Sequence, residues 1–249
     1  MKLAAISDIH GNLGALEAVL ADIGRRGADA IVNLGDVLSG PLLPAETADR
    51  LIPMNLPTVR GNHERQLLTT PAEKMGKSDR HAHETMRPQH VAWIAALPAT
   101  LALTDDVFLC HGTPADDLVY FLQEIDETGS HPAGRETVAR RAGGVSASVI
   151  LCGHSHLPRV VRLDGGRTVV NAGSVGLQAY DWEHPHLHKH ENGTPHARYA
   201  MIEKTAAGWQ AEIVAVEYDW ESAARMAEAR GRPDWAIPLR TGYVLEQGA

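Results

Sequence analysis

The sequence predicts an α/β fold, in the form of a sandwich that combines mixed β-sheets with helices. Short apolar or β-branched runs of strand length recur along the chain, and several are apolar at every position, as in sheets covered on both faces. Segments with helical spacing alternate with these runs early in the chain, whereas residues 159–218 are mostly typical of strands. No internal repeat or long linker divides the sequence, so we expect one domain over residues 1–249.

The strands are predicted from runs rich in valine, isoleucine and leucine. They cover residues 3–6, 30–34, 57–59, 107–110, 149–152, 160–163 and 168–171.

The first helix is predicted from apolar residues that repeat at helical spacing between Leu13 and Ile23 and stop before Gly24. In the third predicted helix, residues 79–97, Pro88 is expected to kink or split the helix, because proline removes a backbone hydrogen-bond donor. The later helices are predicted over residues 44–52, 79–97, 134–142 and 220–230.

Composition and charge limit the classes of protein to which the chain can belong. Hydrophobic residues make up 44% and charged residues 22%, as in ordinary globular proteins. The net charge of -8 offers no basic face, so we expect a small-molecule partner and no nucleic-acid polymer. No apolar run reaches the length of a membrane span, and the first run meets Asp8 too early for a signal peptide. Cys110 and Cys152 are interpreted as reduced strand-core residues of a cytoplasmic protein.

Polar motifs begin where predicted strands end, at five places along the chain. They are Asp8-Ile9-His10, Gly35-Asp36, Gly61-Asn62-His63, His111-Gly112 and Gly153-His154-Ser155-His156. Ligands of open α/β sheets bind beyond the carboxyl ends of the strands. We therefore expect the five motifs to converge on one site.

The residue types in these motifs are metal ligands. Asp8 and His10 stand two residues apart, so in an extended segment their side chains leave on the same side and can hold one ion. Asp36 has two carboxylate oxygens and can bridge two ions. Further donors are the amide oxygen and the imidazoles of Asn62, His111, His154 and His156. Mixed oxygen and nitrogen ligands favour manganese, iron, zinc, nickel or cobalt over calcium.

The ordered set of motifs resembles that of the calcineurin-like metallophosphoesterases, and in particular their compact bacterial, phosphodiesterase-type members. The resemblance covers residues 1–176 and is specific because all the motifs occur in order. It rests on Asp8-Ile9-His10-Gly11-Asn12, Gly35-Asp36, Gly61-Asn62-His63-Glu64, His111, Gly153-His154-Ser155-His156 and Asn171-Ala172-Gly173-Ser174-Val175-Gly176. The fold that it implies is a four-layer αββα sandwich of two mixed β-sheets flanked by helices.

The resemblance also implies two divalent or trivalent transition-metal ions, with manganese favoured over iron, zinc, nickel or cobalt. One ion is expected on Asp8, His10, Asp36 and His156, and the second on Asp36, Asn62, His111 and His154. Asp36 is then the bridge and a catalytic residue. Two cations about 3.5–4 Å apart stabilise the attacking and leaving oxygens of a phosphoryl transfer. They also lower the pKa of a bound water from about 15.7 toward about 7. The expected nucleophile toward phosphorus is therefore a hydroxide shared by the two ions.

Catalytic or substrate-binding roles are predicted for three further residues. The resemblance implies that His63 is catalytic, either as proton donor to the leaving alkoxide or as a stabiliser of phosphoryl charge. Arg60 is predicted to contact a phosphate oxygen of the substrate, with an ion pair to Glu64 as the alternative. Asn12 is predicted to contact the substrate, with capping of the helix that begins at Leu13 as the alternative.

Five histidines lie in the segment 181–196, which the sequence predicts to be a loop inserted into the domain. They are His184, His186, His188, His190 and His196. Three interpretations stay open: a lid over the site, a plain solvated loop, and an additional metal site.

The predicted function is metal-dependent hydrolysis of phosphodiesters or nucleotide-type small molecules. A phosphomonoesterase or a serine/threonine protein phosphatase is the enzymatic alternative, because the family resemblance extends to both. An interaction scaffold on the same fold is the non-enzymatic alternative.

Overall fold

The computed structural model describes residues 1–245. Its strands are β1 Lys2–Ile6, β2 Ala30–Asn33, β3 Thr100–Thr104, β4 Val107–Cys110, β5 Gln123–Asp126, β6 Gly129–Pro132, β7 Val149–Cys152, β8 Arg159–Arg162, β9 Thr168–Asn171, β10 Ala179–Trp182, β11 His188–Glu191, β12 Ala197–Thr205 and β13 Gly208–Val216. Its α-helices are α1 Leu13–Arg26, α2 Pro44–Leu51, α3 Asn62–Thr69, α4 Lys77–Thr85, α5 Pro88–Ala96, α6 Arg135–Ala142, α7 Trp220–Ala229 and α8 Pro233–Thr241. Short 3-10 helices cover Ile52–Met54, Ala72–Lys74 and Asp164–Gly166.

Two mixed sheets form the centre of the molecule. The four-stranded sheet has the order β13-β12-β1-β2, in which β1 and β2 are parallel and the other pairs antiparallel. The five-stranded sheet has the order β3-β4-β7-β9-β8, in which β4, β7 and β9 are parallel and the edge strands antiparallel. The pairs β5–β6 and β10–β11 form separate hairpins.

The side chains of β1 alternate between two cores. Leu3 and Ala5 are buried between the two sheets, whereas Ala4 and Ile6 belong to the core beneath helix α1. Because successive side chains of a strand point to opposite faces, this pattern places a helical layer on one side and the second sheet on the other.

Strand β7 shows the same alternation in the second sheet. Val149 and Leu151 are buried in the inter-sheet core, whereas Ile150 and Cys152 pack in a third core with Val138 of α6. The layers therefore follow the order helix, sheet, sheet, helix, which confirms the predicted four-layer αββα fold. Cys110 lies in the same outer core as Cys152, and both are buried free thiols.

Most predicted elements are present, with small shifts in their bounds. The third helix is split as expected, since α4 ends at Thr85 and α5 begins at Pro88. The predicted strand at 57–59 is reduced to a single parallel bridge between Asn33 and Thr58. Helices α3 and α8 were not predicted, because α3 begins inside a polar motif and α8 carries Pro238 in its interior.

The prediction that residues 181–196 form a loop is wrong for residues 181–182 and 188–191, which lie in strands. Strands β10 and β11 form an antiparallel hairpin in which Trp182 pairs with His188 and Tyr180 with His190. His188 and His190 are buried, whereas Lys189 between them is exposed. The strand alternation is present, but buried histidines, which are polar, conceal it in the sequence.

Within residues 1–245, no helix combines the length and the apolar character needed to cross a membrane.

Candidate metal centre

The five motifs follow strands of both sheets. Asp8 follows β1 and Asp36 follows β2 in the four-stranded sheet, whereas His111 follows β4 and His154 follows β7 in the five-stranded sheet. Backbone hydrogen bonds join the loops, since Asp8 N–H donates to Gly35 O at 3.0 Å and His10 N–H donates to Asp36 O at 3.0 Å. The strand ends therefore bring these side chains to one edge of the sandwich.

The first group of metal-ligating side chains consists of Asp8, His10 and His156, all buried, with donor atoms within 4.8 Å of one another. His10 Nε2 lies 3.1 Å from His156 Nε2, and His156 Nε2 lies 3.5 Å from Asp8 Oδ1. One cation can therefore contact all three side chains.

The second group consists of Asp36, His111 and His154. His111 Nε2 lies 3.0 Å from Asp36 Oδ2 and 3.1 Å from the amide oxygen of Asn62. All seven predicted ligands thus lie in these two groups or in contact with them. The bridging role of Asp36 stays a prediction.

Backbone carbonyls fix the orientation of the histidine rings. The Nδ1 atoms of three rings lie 2.7–2.8 Å from carbonyl oxygens of Ser39, Leu34 and Leu177; these rings are His10, His111 and His156, respectively. In His154 the ring is reversed, because Nε2 lies 3.1 Å from Leu118 O. A ring nitrogen that donates its proton to a carbonyl leaves the other nitrogen as a lone pair for a metal.

The contacts inside the site test whether these residues fit metal ions. With its Nδ1 proton donated to a carbonyl, each of His10 and His156 directs a lone pair at the other across 3.1 Å. His111 likewise directs a lone pair at Asp36 Oδ2. Two acceptors at such distances repel each other unless a proton or a cation lies between them. The donor set therefore fits two cations.

The pKa values differ between the histidines of the site. Burial lowers the pKa of His10 to about 4 and that of His154 to about 3. Burial also disfavours charge on His111, but the Asp36 carboxylate outweighs it and raises the pKa of His111 to about 10. Among these three imidazoles, His111 is thus the one that most favours positive charge, because it lies beside Asp36.

Unusual backbone conformations concentrate at the site. Six non-glycine residues in the described part of the chain have positive φ, and five of them are predicted ligands: Asp8, His10, Asp36, His154 and His156. Left-handed backbone is unfavourable for such residues and persists where the surrounding structure enforces it, often at functional sites.

Two motif glycines allow a close approach of the loops. A Cβ atom on Gly153 would lie 1.9 Å from Ser7 Oγ and 2.7 Å from Asp8 Oδ2. A Cβ atom on Gly61 would lie 2.1 Å from Asp36 Oδ1. Any other residue at either position would displace a ligand.

Glu64 fixes two of the ligand loops, a role that the sequence did not reveal. Its buried carboxylate accepts hydrogen bonds from the backbone N–H groups of Asp36, Val37 and Gly61 at 2.8–3.0 Å. The position of Glu64 three residues after Gly61, the helix cap, could have indicated the last of these contacts.

His63 lines the cavity beside the metal ligands. Its Nδ1 atom lies 2.8 Å from Asp79 Oδ1 on helix α4. Burial disfavours charge on this ring, but Asp36 and Asp79 together raise the pKa of His63 to about 9. Asp79 was not predicted, since no sequence pattern links it to a residue on a different helix.

The two predicted substrate contacts lie elsewhere. Asn12 is buried, its Oδ1 accepts from Ala15 N–H as the cap of α1, and its Nδ2 donates to Gly176 O. These bonds favour the capping role. Arg60 does not line the cavity, and the Glu64 carboxylate binds backbone N–H groups. Substrate contacts by both residues stay predictions.

The histidines of the β10–β11 hairpin belong to a buried hydrogen-bond network. His190 Nδ1 lies 2.8 Å from Tyr180 Oη, and His188 Nε2 lies 3.1 Å from Tyr120 Oη. Tyr180 Oη also lies 3.1 Å from the backbone oxygen of His154, while the Tyr120 ring stacks on the His154 ring at 4.7 Å. The hairpin thus supports His154, a predicted metal ligand, through these two tyrosines.

This network bears on the interpretation of the segment as an additional metal site. The second ring nitrogens are also engaged, since His190 Nε2 lies 2.9 Å from Ser130 Oγ and His188 Nδ1 lies 2.7 Å from His186 O. Among residues 1–245, the two groups that could hold a metal contain no histidine of the hairpin. The structure does not favour the additional site.

A cavity of about 880 Å³ opens above the ligands. Its floor includes His10, Asp36 and His156, and its walls come from the loop before β5, from the β10–β11 hairpin and from helix α8.

A family model, described as the calcineurin-like phosphoesterase superfamily domain, matches residues 1–191. The chain belongs to this superfamily. Calcineurin-like phosphoesterases are hydrolases, and the family normally binds two divalent metals. The expected extent of the domain, residues 1–249, stays a prediction.

Three individual proteins show the range of similarity. The uncharacterised protein MJ0912 of Methanocaldococcus jannaschii is 24% identical in an alignment that covers 94% of each chain. Phosphodiesterase YfcE of Escherichia coli is 44% identical in an alignment that covers 25% of this chain and 39% of YfcE. The crystal structure of a metallophosphoesterase from Sphaerobacter thermophilus has a TM-score of 0.72 at 24% identity, over 96% of this chain and 98% of that one. The last similarity concerns the fold.

Proposed function

We propose that the protein is a dinuclear-metal-dependent phosphoesterase that hydrolyses phosphodiesters or nucleotide-type small molecules. The observation that carries this proposal is the pair of adjacent groups of metal-ligating side chains, whose fixed lone pairs face one another at about hydrogen-bond distance. Asp8, His10 and His156 would hold one ion, and Asn62, His111 and His154 the other, with Asp36 between them.

Two bound divalent metals would supply an activated water as nucleophile and stabilise charge on the attacking and leaving oxygens. The protein's own groups orient the substrate and move the proton. Carbonyl contacts hold the imidazoles, and Glu64 holds the Asp36 loop, so the ligands are arranged before substrate binds. His63, oriented by Asp79, would donate a proton to the leaving oxygen.

Two observations support a diester preference and a small substrate. The relative with 44% identity over 72 residues is named a phosphodiesterase. The net charge of -8 is unfavourable for a nucleic-acid polymer. A cytoplasmic location and manganese as the native metal are part of this proposal.

The test is activity of the metal-reconstituted protein on bis-p-nitrophenyl phosphate, a diester, and p-nitrophenyl phosphate, a monoester. We expect hydrolysis of both esters to require manganese, with the diester faster. Asp36→Asn should lose more activity than the roughly 10–100-fold that loss of an outer-shell partner costs. Asp105→Asn, in the exposed β3–β4 turn, is the matched control and should be unchanged.

A faster monoester reaction would favour the phosphomonoesterase alternative. A protein that binds manganese and hydrolyses neither ester would contradict the enzymatic function and leave the scaffold alternative.

A further inference from the structure

We propose that Trp182 on the β10–β11 hairpin forms a stacking site for the nucleobase of a nucleotide-type substrate. This inference rests on the proposed function, because it assigns the organic part of the substrate whose phosphoryl group lies at the metal centre.

The cavity is larger than a phosphoryl group requires. Its volume of about 880 Å³ lies within the range of roughly 300–1,000 Å³ that is typical of pockets for whole small-molecule ligands. The metal ligands occupy only its floor. The remaining space is therefore available to the organic group that the phosphate carries.

Trp182 is placed to contact that group. Of the five tryptophans, all in the described part of the chain, Trp182 alone is exposed, at 56%, and it lines the cavity. Its one ring neighbour is His184, which lines the same cavity at a centroid distance of 6.1 Å. An exposed indole adds little to the core, so its large flat face is free for a ligand.

Two further exposed side chains of the cavity are apolar. Leu118 and Val119 are exposed apolar residues, and both line the cavity. The Leu118 carbonyl is bonded to the His154 ring, which connects these residues to the metal centre. Apolar side chains around a cavity with a polar floor favour a substrate that is charged at one end and apolar at the other.

Helix α8 provides a rigid wall that lies outside the residues matched by the family model. Arg232, immediately before α8, is held by Asp234 at 2.7 Å and by Ser78 Oγ at 3.1 Å, and its guanidinium lies over the Trp235 ring. Trp235 is itself buried, with its ring 5.8 Å from that of His10. Because the buried Trp235 packs against His10, a predicted ligand, the exposed Trp182 is the better position for a test substitution.

A purine or pyrimidine base matches these features, since it is flat, largely uncharged and attached to phosphate through a sugar. Stacking of a base on an aromatic side chain is sequence-tolerant and strengthens binding by about 5- to 150-fold.

The experiment measures the affinity of the manganese-loaded protein for adenosine 5′-monophosphate and for ribose 5-phosphate, which differ only by the base. We expect the adenine nucleotide to bind more tightly. Trp182→Ala should weaken its binding by about 5- to 150-fold and leave that of ribose 5-phosphate unchanged, whereas Trp182→Phe should retain most of the affinity.

Leu187→Ala is the matched control, because Leu187 lies on the same hairpin, is 65% exposed and does not line the cavity. It should alter neither affinity. Equal affinities of the unchanged protein for the two ligands, or full affinity of Trp182→Ala for the nucleotide, would overturn the proposal.

Failure of the two proposals can be told apart. Binding of ribose 5-phosphate reports the metal centre, and hydrolysis of bis-p-nitrophenyl phosphate reports the activity. A protein that hydrolyses the diester but does not distinguish the two ligands refutes the stacking site alone. A protein that hydrolyses no ester yet loses base-dependent affinity in Trp182→Ala supports the stacking site and refutes the activity.

Discussion

His63 and Asp79 are in contact but have different positions and different expected roles at the site. His63 lines the cavity, whereas Asp79 is buried behind it and bonded to its Nδ1 atom. The first residue is therefore in position to touch substrate, and the second acts through the first as a positioning residue.

We expect His63→Ala to keep both metals and to lose roughly 10²–10⁴-fold in turnover, because a positioned acid contributes that factor. The substrate should be a cyclic nucleotide, whose leaving group is an alkoxide that needs a proton. Turnover and elemental metal content are measured together. Full turnover in this variant would remove His63 from the mechanism.

Asp79→Ala should lower kcat by about 10–100-fold with KM and metal content unchanged, since loss of an outer-shell partner has effects of that size. Glu84→Gln removes an exposed carboxylate from the same helix and should leave kcat unchanged. A parallel fall in metal content would instead show that Asp79 supports the metal site as a whole.

At the residue scale, the sequence indicated which candidate ligands would lie close together, because most of them follow the end of a strand, where local order fixes spatial position. The sequence did not predict Asp79 and Tyr180, since each contacts the site through tertiary packing between separate elements. Asn12 illustrates a third case, in which the helix cap and the substrate contact have the same sequence signal.

The β10–β11 hairpin is the element that most changes the interpretation of the sequence. Its buried histidines bond to Tyr120 and Tyr180, and these tyrosines contact His154 through ring stacking and a backbone hydrogen bond. Two of the five histidines of the segment, His188 and His190, are thereby explained by contacts that lead to His154. Whether the hairpin also moves as a lid stays a prediction.

We predict that Tyr180→Phe lowers the free energy of unfolding by about 1–3 kcal/mol, because His190 Nδ1 is left buried without its partner. It should also weaken metal binding by about 10–100-fold through His154. Urea unfolding and metal titration measure the two effects. Tyr243→Phe, at an exposed tyrosine, is the control, and an equal loss there would contradict a specific role for the network.

At the scale of the whole molecule, the four-layer order was expected from the family resemblance, and only an α/β sandwich with mixed sheets was predictable from strand alternation and helical spacing. The pairing of β1 with β12 was not, since about 200 residues separate the paired positions, as in Lys2 with Glu203. The place of α8 beside the metal centre depends on the same kind of distant packing, for which the sequence carries no local signal.

Metal binding should stabilise the folded chain. At a manganese concentration one hundred times Kd, the gain is about 2.7 kcal/mol, because the ion binds the folded site and not the unfolded chain. Thermal melts with manganese and with a chelator measure it, and Asp36→Asn should show a smaller shift. Equal melting temperatures for a protein that demonstrably binds the ion would contradict this expectation.

Each group of ligands takes members from both sheets, as Asp8 with His156 and Asp36 with His111 show. Neither half of the sandwich therefore holds a complete group of predicted ligands, and each group is complete only once the two sheets have packed together. We therefore expect tight metal binding to come late in folding. The expected kinetic consequence is a lower unfolding rate, with little change in the folding rate.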